Sequence, residues 1–307
     1  MKPFRYFKPE TVEEVLSILD IGKAKILAGG TDLLLDFKKG KVETDNVVDI
    51  NQVQSIRVIK DRGEEIAIGS AVTLAEVANS PIIKKLAPIL CQACSFIGSP
   101  QIRNLGTLGG NIANGSPSAD SVPALICLDA RIKVSSAKAS RDVPIKEILG
   151  VDTDKTTLGQ NDLIEEIKFE HPASSTRGAF FKLGRRNALA ISRISMGILI
   201  TMDGNVKIKE AAIALGAVSP HPFRVTSAEK ILVGQTPNRA LLKEVVEEIC
   251  RATAITLGNR ASAPYKREAV RGVVWDAFEN LFSLNEASDE STTNSTIKVK
   301  GVGKKLN

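Results

Sequence analysis

The chain is poor in the side chains that run self-contained chemistry. It has two histidines, His171 and His221, both beside proline, with no GxSxG elbow and no HExxH pair. That argues against a serine or cysteine triad and against a one-chain metallohydrolase. The four cysteines, at 91, 94, 127 and 250, are too few and too unevenly placed for a disulfide framework. Cys91 and Cys94 form a CxxC inside an apolar stretch, residues 86–97, with no second pair to complete a metal site. They read as core thiols. Aromatics make up only 4% of residues, and the net charge of +6 is scattered rather than clustered. Platforms for stacking bases are scarce, so the surplus charge suits a solvated surface or an acidic partner protein better than nucleic acid. No apolar run approaches the roughly 20 residues of a membrane span, and the first six residues lack a signal-peptide core. The expectation is a cytoplasmic chain with no membrane contact. Two nucleotide signatures are missing as well: there is no GxGxxG, and no lysine follows either glycine-rich segment. A Rossmann turn and a P-loop are thereby set aside.

What is present is a pair of glycine-dense segments far apart in the chain. The first comprises Ile26, Leu27, Ala28, Gly29, Gly30, Thr31, Asp32 and Leu33. Gly106, Thr107, Leu108, Gly109, Gly110 and Asn111 form the second. Adjacent glycines admit positive φ and let backbone N–H groups approach a ligand without a Cβ in between. Two such bends read as halves of one cradle for a diphosphate. Asp32 has an alternative reading as the cap of the following leucines, and Gly40, Gly98 and Gly106 as ordinary turn glycines.

The 307 residues, 43% of them hydrophobic, suffice for more than one core. Residues 9–19 read as a helix with Thr11 and Glu14 in capping-box spacing, a pattern repeated at Thr73 and Glu76. Short strands at 25–28, 46–50 and 65–69 give a βαβ-like opening, followed by a helix over 84–97. Strands are expected at 130–135 and 163–169, and a linker at 172–176. Beyond it come strands at 179–183, 191–202 and 206–215, with Asp203, Gly204 and Asn205 turning between the last two. Helices over 238–254 and 270–281 then pack on one face of that sheet. From residue 285 the chain is Ser, Thr, Lys and Gly-rich, which predicts a flexible tail.

The first segment, together with the block Ile97-Gly98-Ser99-Pro100-Gln101-Ile102-Arg103-Asn104-Leu105-Gly106-Thr107-Leu108-Gly109-Gly110-Asn111, resembles the flavin-binding subunit of molybdenum-containing hydroxylases, the xanthine dehydrogenase family. Residues 182–192, 214–224 and 265–268 are similar to the same family's C-terminal domain, so the resemblance covers about residues 1–283. It implies an α+β chain with a two-subdomain FAD-binding fold of the vanillyl-alcohol oxidase type, followed by a smaller α+β domain. The expected divisions are 1–173, with subdomains of about 1–55 and 56–173, then 177–283 and a tail over 284–307. It implies that residues 26–33 and 107–111 hold the diphosphate and ribityl groups, mainly through backbone N–H groups. Asp120 would accept from a cofactor hydroxyl, and Ile97, Ile164 and Lys182 would line the flavin. No catalytic residue and no metal ligand is expected on this chain.

The implied activity is that of a xanthine-dehydrogenase-like oxidoreductase subunit, active only with partners. A molybdopterin-binding large subunit hydroxylates a substrate, a small subunit carries electrons through [2Fe-2S] clusters, and FAD on this chain delivers them to NAD or another acceptor. A purine or other N-heterocycle is the implied substrate class. The chain lacks the cysteine sets of iron–sulfur clusters and any separate domain for a molybdenum cofactor. No cysteine-rich insertion of the kind found in hydroxybenzoyl-CoA reductase flavin subunits is present. Two alternatives stay open: a stand-alone flavin oxidase, and an FAD-free assembly module.

Overall fold

The computed structural model describes residues 3–150, 156–186, 189–204 and 206–282. The tail expected over 284–307, Asn187 and Ala188 of the family-like stretch, and Asn205 of the expected turn lie outside them.

The chain begins with β1 (Arg5–Phe7), α1 (Val12–Asp20), β2 (Ala24–Leu27), α2 (Leu33–Lys38) and β3 (Asn46–Asp49). Thr11 caps α1 through its hydroxyl, which accepts the Glu14 N–H at 3.2 Å. Both crossovers return the strands parallel, in the order β1-β3-β2, with Val15, Leu19, Val48 and Ile50 in a small core beneath them. The expected βαβ opening is therefore present for the strands at 25–28 and 46–50, with an extra strand before them, while the strand expected at 65–69 belongs to a different sheet. β1 is too short and too exposed to leave an alternating pattern.

A second sheet is antiparallel throughout, ordered β4-β5-β8-β6-β7. Its strands are β4 (Ile59–Asp61), β5 (Glu65–Gly69), β6 (Arg131–Ser135), β7 (Ser140–Pro144) and β8 (Leu163–Glu170). Between β5 and β6 run α3 (Leu74–Asn79), α4 (Pro81–Leu86), α5 (Pro88–Ser95), α6 (Pro100–Leu105), α7 (Leu108–Ala113) and α8 (Ser121–Cys127), and α9 (Ile145–Ile148) follows β7. At α3 the capping box is complete: Glu76 N–H donates to Thr73, and Thr73 N–H donates back to Glu76 at 2.7 Å. The single helix expected over 84–97 is two. Pro88 lacks an N–H and disfavours a helical residue before it, so Ala87 leaves the helix at φ −139°, ψ 59°. Cys94 is buried in the core on α5, and Cys91, half-buried and packed against that core, donates its thiol to the Ala78 carbonyl.

The remaining elements are β9 (Thr176–Leu183), β10 (Ile194–Asp203), β11 (Lys207–Gly216), β12 (Phe223–Arg224), α10 (Thr226–Leu232), α11 (Arg239–Leu257) and α12 (Ala263–Phe282). They form an antiparallel sheet ordered β12-β11-β10-β9. Helices cover one face, as expected, but the other face is not solvated. Phe180, Ala212 and Ala214 turn away from α11 and α12 and join the core built by α5 and α8. Burial on both faces is why β10 reads as one near-continuous apolar run. α12 begins seven residues before the stretch expected to be helical, and its Gly272 has open space where a side chain would stand. Gly272→Ala is expected to stabilise the protein by roughly 0.5–1 kcal/mol through helix propensity alone, read as a raised denaturant midpoint at unchanged slope.

Candidate functional site

Gly29 and the end of α6 meet back to back. A Cβ on Gly29 would lie 2.0 Å from the Leu105 carbonyl oxygen and 2.8 Å from the Gly106 Cα. The two glycine segments, some eighty residues apart in sequence, thus form adjoining walls of one cavity of about 380 Å3. Gly30 takes φ +69°, the left-handed turn that swings the chain from β2 into α2. Asn51 holds this bend from behind: its amide donates to the Ala28 carbonyl at 2.9 Å and to Asp49 at 2.7 Å. Sequence reasoning missed Asn51, because nothing in the pattern marks a side chain that acts on a backbone more than twenty residues away.

The first segment keeps its donors free. Among the described residues, the N–H groups of Gly29, Gly30, Thr31 and Asp32 have no protein acceptor. Gly29, Gly30 and Thr31 are half-buried and Asp32 is exposed; half-buried backbone donors need partners, so a bend with these unspent N–H groups suits an anionic oxygen-rich ligand. Asp32 stands at the N-cap position of α2 but makes no capping bond, which corrects the reading of it as a cap. It accepts instead from the Thr31 hydroxyl at 3.2 Å.

The second segment is built differently from the expected left-handed bend. Thr107 caps α7, its hydroxyl accepting the Gly110 N–H at 3.0 Å, so Gly109 and Gly110 lie in a helical first turn. Their N–H groups are already engaged: Leu108 donates to Val72 O, Gly109 to Ser70 O and Asn111 to Thr107 O, each at 2.9 Å. Gly109 serves close packing, since a Cβ there would lie 2.5 Å from the Ser70 Cβ. This wall therefore shapes the cavity, while the first supplies the open donors.

Ile26, Ala28, Gly29, Gly30, Thr31, Asp32, Leu33, Ile97, Thr107, Gly109, Gly110, Asn111 and Ile164 line the cavity. Leu27 belongs to β2, and Leu108 is fully buried in the core; neither is in the lining. Ile97 is fixed by Arg103, which donates to the Ile97 and Gly98 carbonyls at 3.0 Å. Asp162, also missed from sequence, closes the wall beside Ile164. It accepts from Arg141 and from Gly159 N–H, and the Arg141 hydrogen bond holds its carboxyl below the usual carboxylate range.

Asp120 and Lys182 stand outside that lining and on each other. The Lys182 ammonium donates to Asp120 Oδ2 at 2.6 Å and to the Phe96 carbonyl at 2.9 Å, while the Ser192 hydroxyl donates to Asp120 Oδ1. Both side chains are under one-tenth exposed. Burial pushes the Asp120 carboxyl above its ordinary range, against the pull of Lys182 and Ser192. This node clips β9 to the segment after α5, next to Ile97. A tie runs from Asp120 toward the cavity as well, through Ser121, whose hydroxyl donates to Asn111 Oδ1 at 2.7 Å.

The family model described as "FAD binding domain in molybdopterin dehydrogenase" matches residues 2–172, and "CO dehydrogenase flavoprotein C-terminal domain" matches 179–281. The nicotinate dehydrogenase FAD-subunit of Eubacterium barkeri is 32% identical over 295 residues, covering 92% of this chain and 96% of the relative. A putative xanthine dehydrogenase FAD-binding subunit of Escherichia coli is 31% identical, covering 87% and 91%. Among solved structures, carbon monoxide dehydrogenase from Hydrogenophaga pseudoflava superposes with a TM-score of 0.84 at 28% identity, covering 91% of this chain and 98% of that one. Fold and site together define a flavin-binding subunit of an oxidoreductase. The chain belongs to the FAD-binding medium subunits of the molybdenum hydroxylases, the family of xanthine, carbon monoxide and nicotinate dehydrogenases. Among the described residues, no helix is long and apolar enough to cross a membrane.

Proposed function

We propose that this chain is the electron outlet of a three-part cytoplasmic hydroxylase, taking electrons from [2Fe-2S] clusters on a small subunit and passing them through FAD to NAD or another acceptor. A molybdenum-cofactor-bearing large subunit would hydroxylate an N-heterocycle, the class to which the nicotinate of one relative belongs. In this reading residues 1–173 form the FAD-binding part and 177–283 the C-terminal domain. FAD, when bound, supplies the redox chemistry, and the protein supplies binding, orientation and access. The four free N–H groups of Gly29, Gly30, Thr31 and Asp32 are the observation that carries the reading. They would hold the diphosphate, with Thr107, Gly109, Gly110 and Asn111 as the facing wall. Ile97 and Ile164 would pack on the rings, and Asp120 and Lys182 would fix the flavin end.

The purified chain is expected to carry one FAD, bleached by substrate only when both partner subunits are present. Bleaching by substrate with this chain alone would make it a stand-alone oxidase. A colourless chain that takes up no added FAD would make it an assembly module.

A further inference from the structure

Ser70 follows β5 directly and lies beneath the second glycine segment. Its backbone is fully used: the N–H donates to the Glu165 carbonyl and the carbonyl accepts the Gly109 N–H, both at 2.9 Å. The side chain is not. Ser70 is 3% exposed, and among the described residues its hydroxyl has no hydrogen-bond partner. Among the described residues two other buried hydroxyls, Ser195 and Thr253, are also orphaned, but Ser70 is the one of the three that lines the cavity between the glycine segments. An unmatched buried hydroxyl is a standing cost, and because Ser70 is a lining residue, a turn about χ1 is the route by which its closed-off oxygen gains a partner in the cavity. The N–H donors around Ser70 are already spent on the protein, which leaves an acceptor on the ligand as the missing partner.

We propose that Ser70 is a further ligand-binding residue of this site, its hydroxyl donating to a diphosphate oxygen of the bound dinucleotide. The inference rests on the cavity being the dinucleotide site. Gly109 permits the contact: a side chain there would collide with Ser70 and wedge the wall away from it. The hydroxyl is thus a cost to the empty protein and a gain to the filled one, so its removal should move the two states in opposite directions.

Ser70→Ala in the full chain, titrated separately with FAD, ADP and riboflavin, tests this. The expected result is a Kd about tenfold weaker for FAD and for ADP, an unchanged Kd for riboflavin, and a ligand-free melting temperature equal to or above that of the wild type. Unchanged FAD and ADP affinities overturn the proposal. So does equal weakening of all three ligands with a lowered ligand-free melting temperature, which would make Ser70 a packing residue. If the wild type binds ADP but not FAD, the functional reading fails while the Ser70 contact is still measured on ADP. If it binds neither, both fall.

Discussion

Gly29→Ala is expected to destabilise the protein by at least about 3 kcal/mol and to empty it of flavin. The added methyl would sit 2.0 Å from the Leu105 carbonyl oxygen, and backbone on both sides leaves no flexible side chain to give way. Overpacking of this kind costs about 1–3 kcal/mol when neighbours can relax and more when they cannot. The first segment would be pushed off α6, and its free N–H groups would lose their facing wall. Equilibrium unfolding and the flavin-to-protein ratio check both parts. Wild-type stability with full flavin would mean that the two segments do not touch.

The second large effect is expected from the buried pair. Lys182→Met leaves the Asp120 carboxylate buried with only Ser192 to bond it, and breaking a buried pair from one side costs about 3–5 kcal/mol. The deficit should depend on pH in a defined direction. Lys182 lowers the Asp120 pKa, so removing it lifts an already raised value further. A carboxyl that binds its proton more tightly folded than unfolded favours folding below the ordinary carboxylate range, and that contribution disappears as pH rises through the raised value. The variant should therefore lie near wild type in mildly acidic buffer and fall away toward neutral pH. Adding Asp120→Leu should restore most of the neutral-pH stability, because desolvation of the pair offsets much of its attraction. Flavin content should stay low in both variants, which separates the pair's part in holding cofactor from its part in the fold. A pH-independent deficit, or full flavin in the double variant, would count against these roles.

Legibility in the sequence followed how local the physics is. The capping signals at Thr11 and Thr73 were readable because a cap acts within three residues. β1 and α10 were missed, one for its length and the other because Thr226–Leu232 is short and lacks a side-chain cap. Gly109 and Gly110 were visible as glycines, but their conformation was misread. A glycine needed for close packing looks the same in sequence as one needed for positive φ, and only the contact with Ser70 tells them apart.

Composition and spacing sufficed to indicate a paired glycine cradle without self-contained catalytic chemistry, and the resemblance carried by the block from Ile97 to Asn111 implied a flavin subunit. These are properties of residue type along the chain, and they survive without coordinates. Folding alone decided which donors remain free, that Asp120 and Lys182 are each other's partners across 62 residues, and that Ser70 lines a cavity with its hydroxyl unpaired among the described residues. Hydrogen-bond satisfaction depends on which groups meet in space, and no one-dimensional pattern records that.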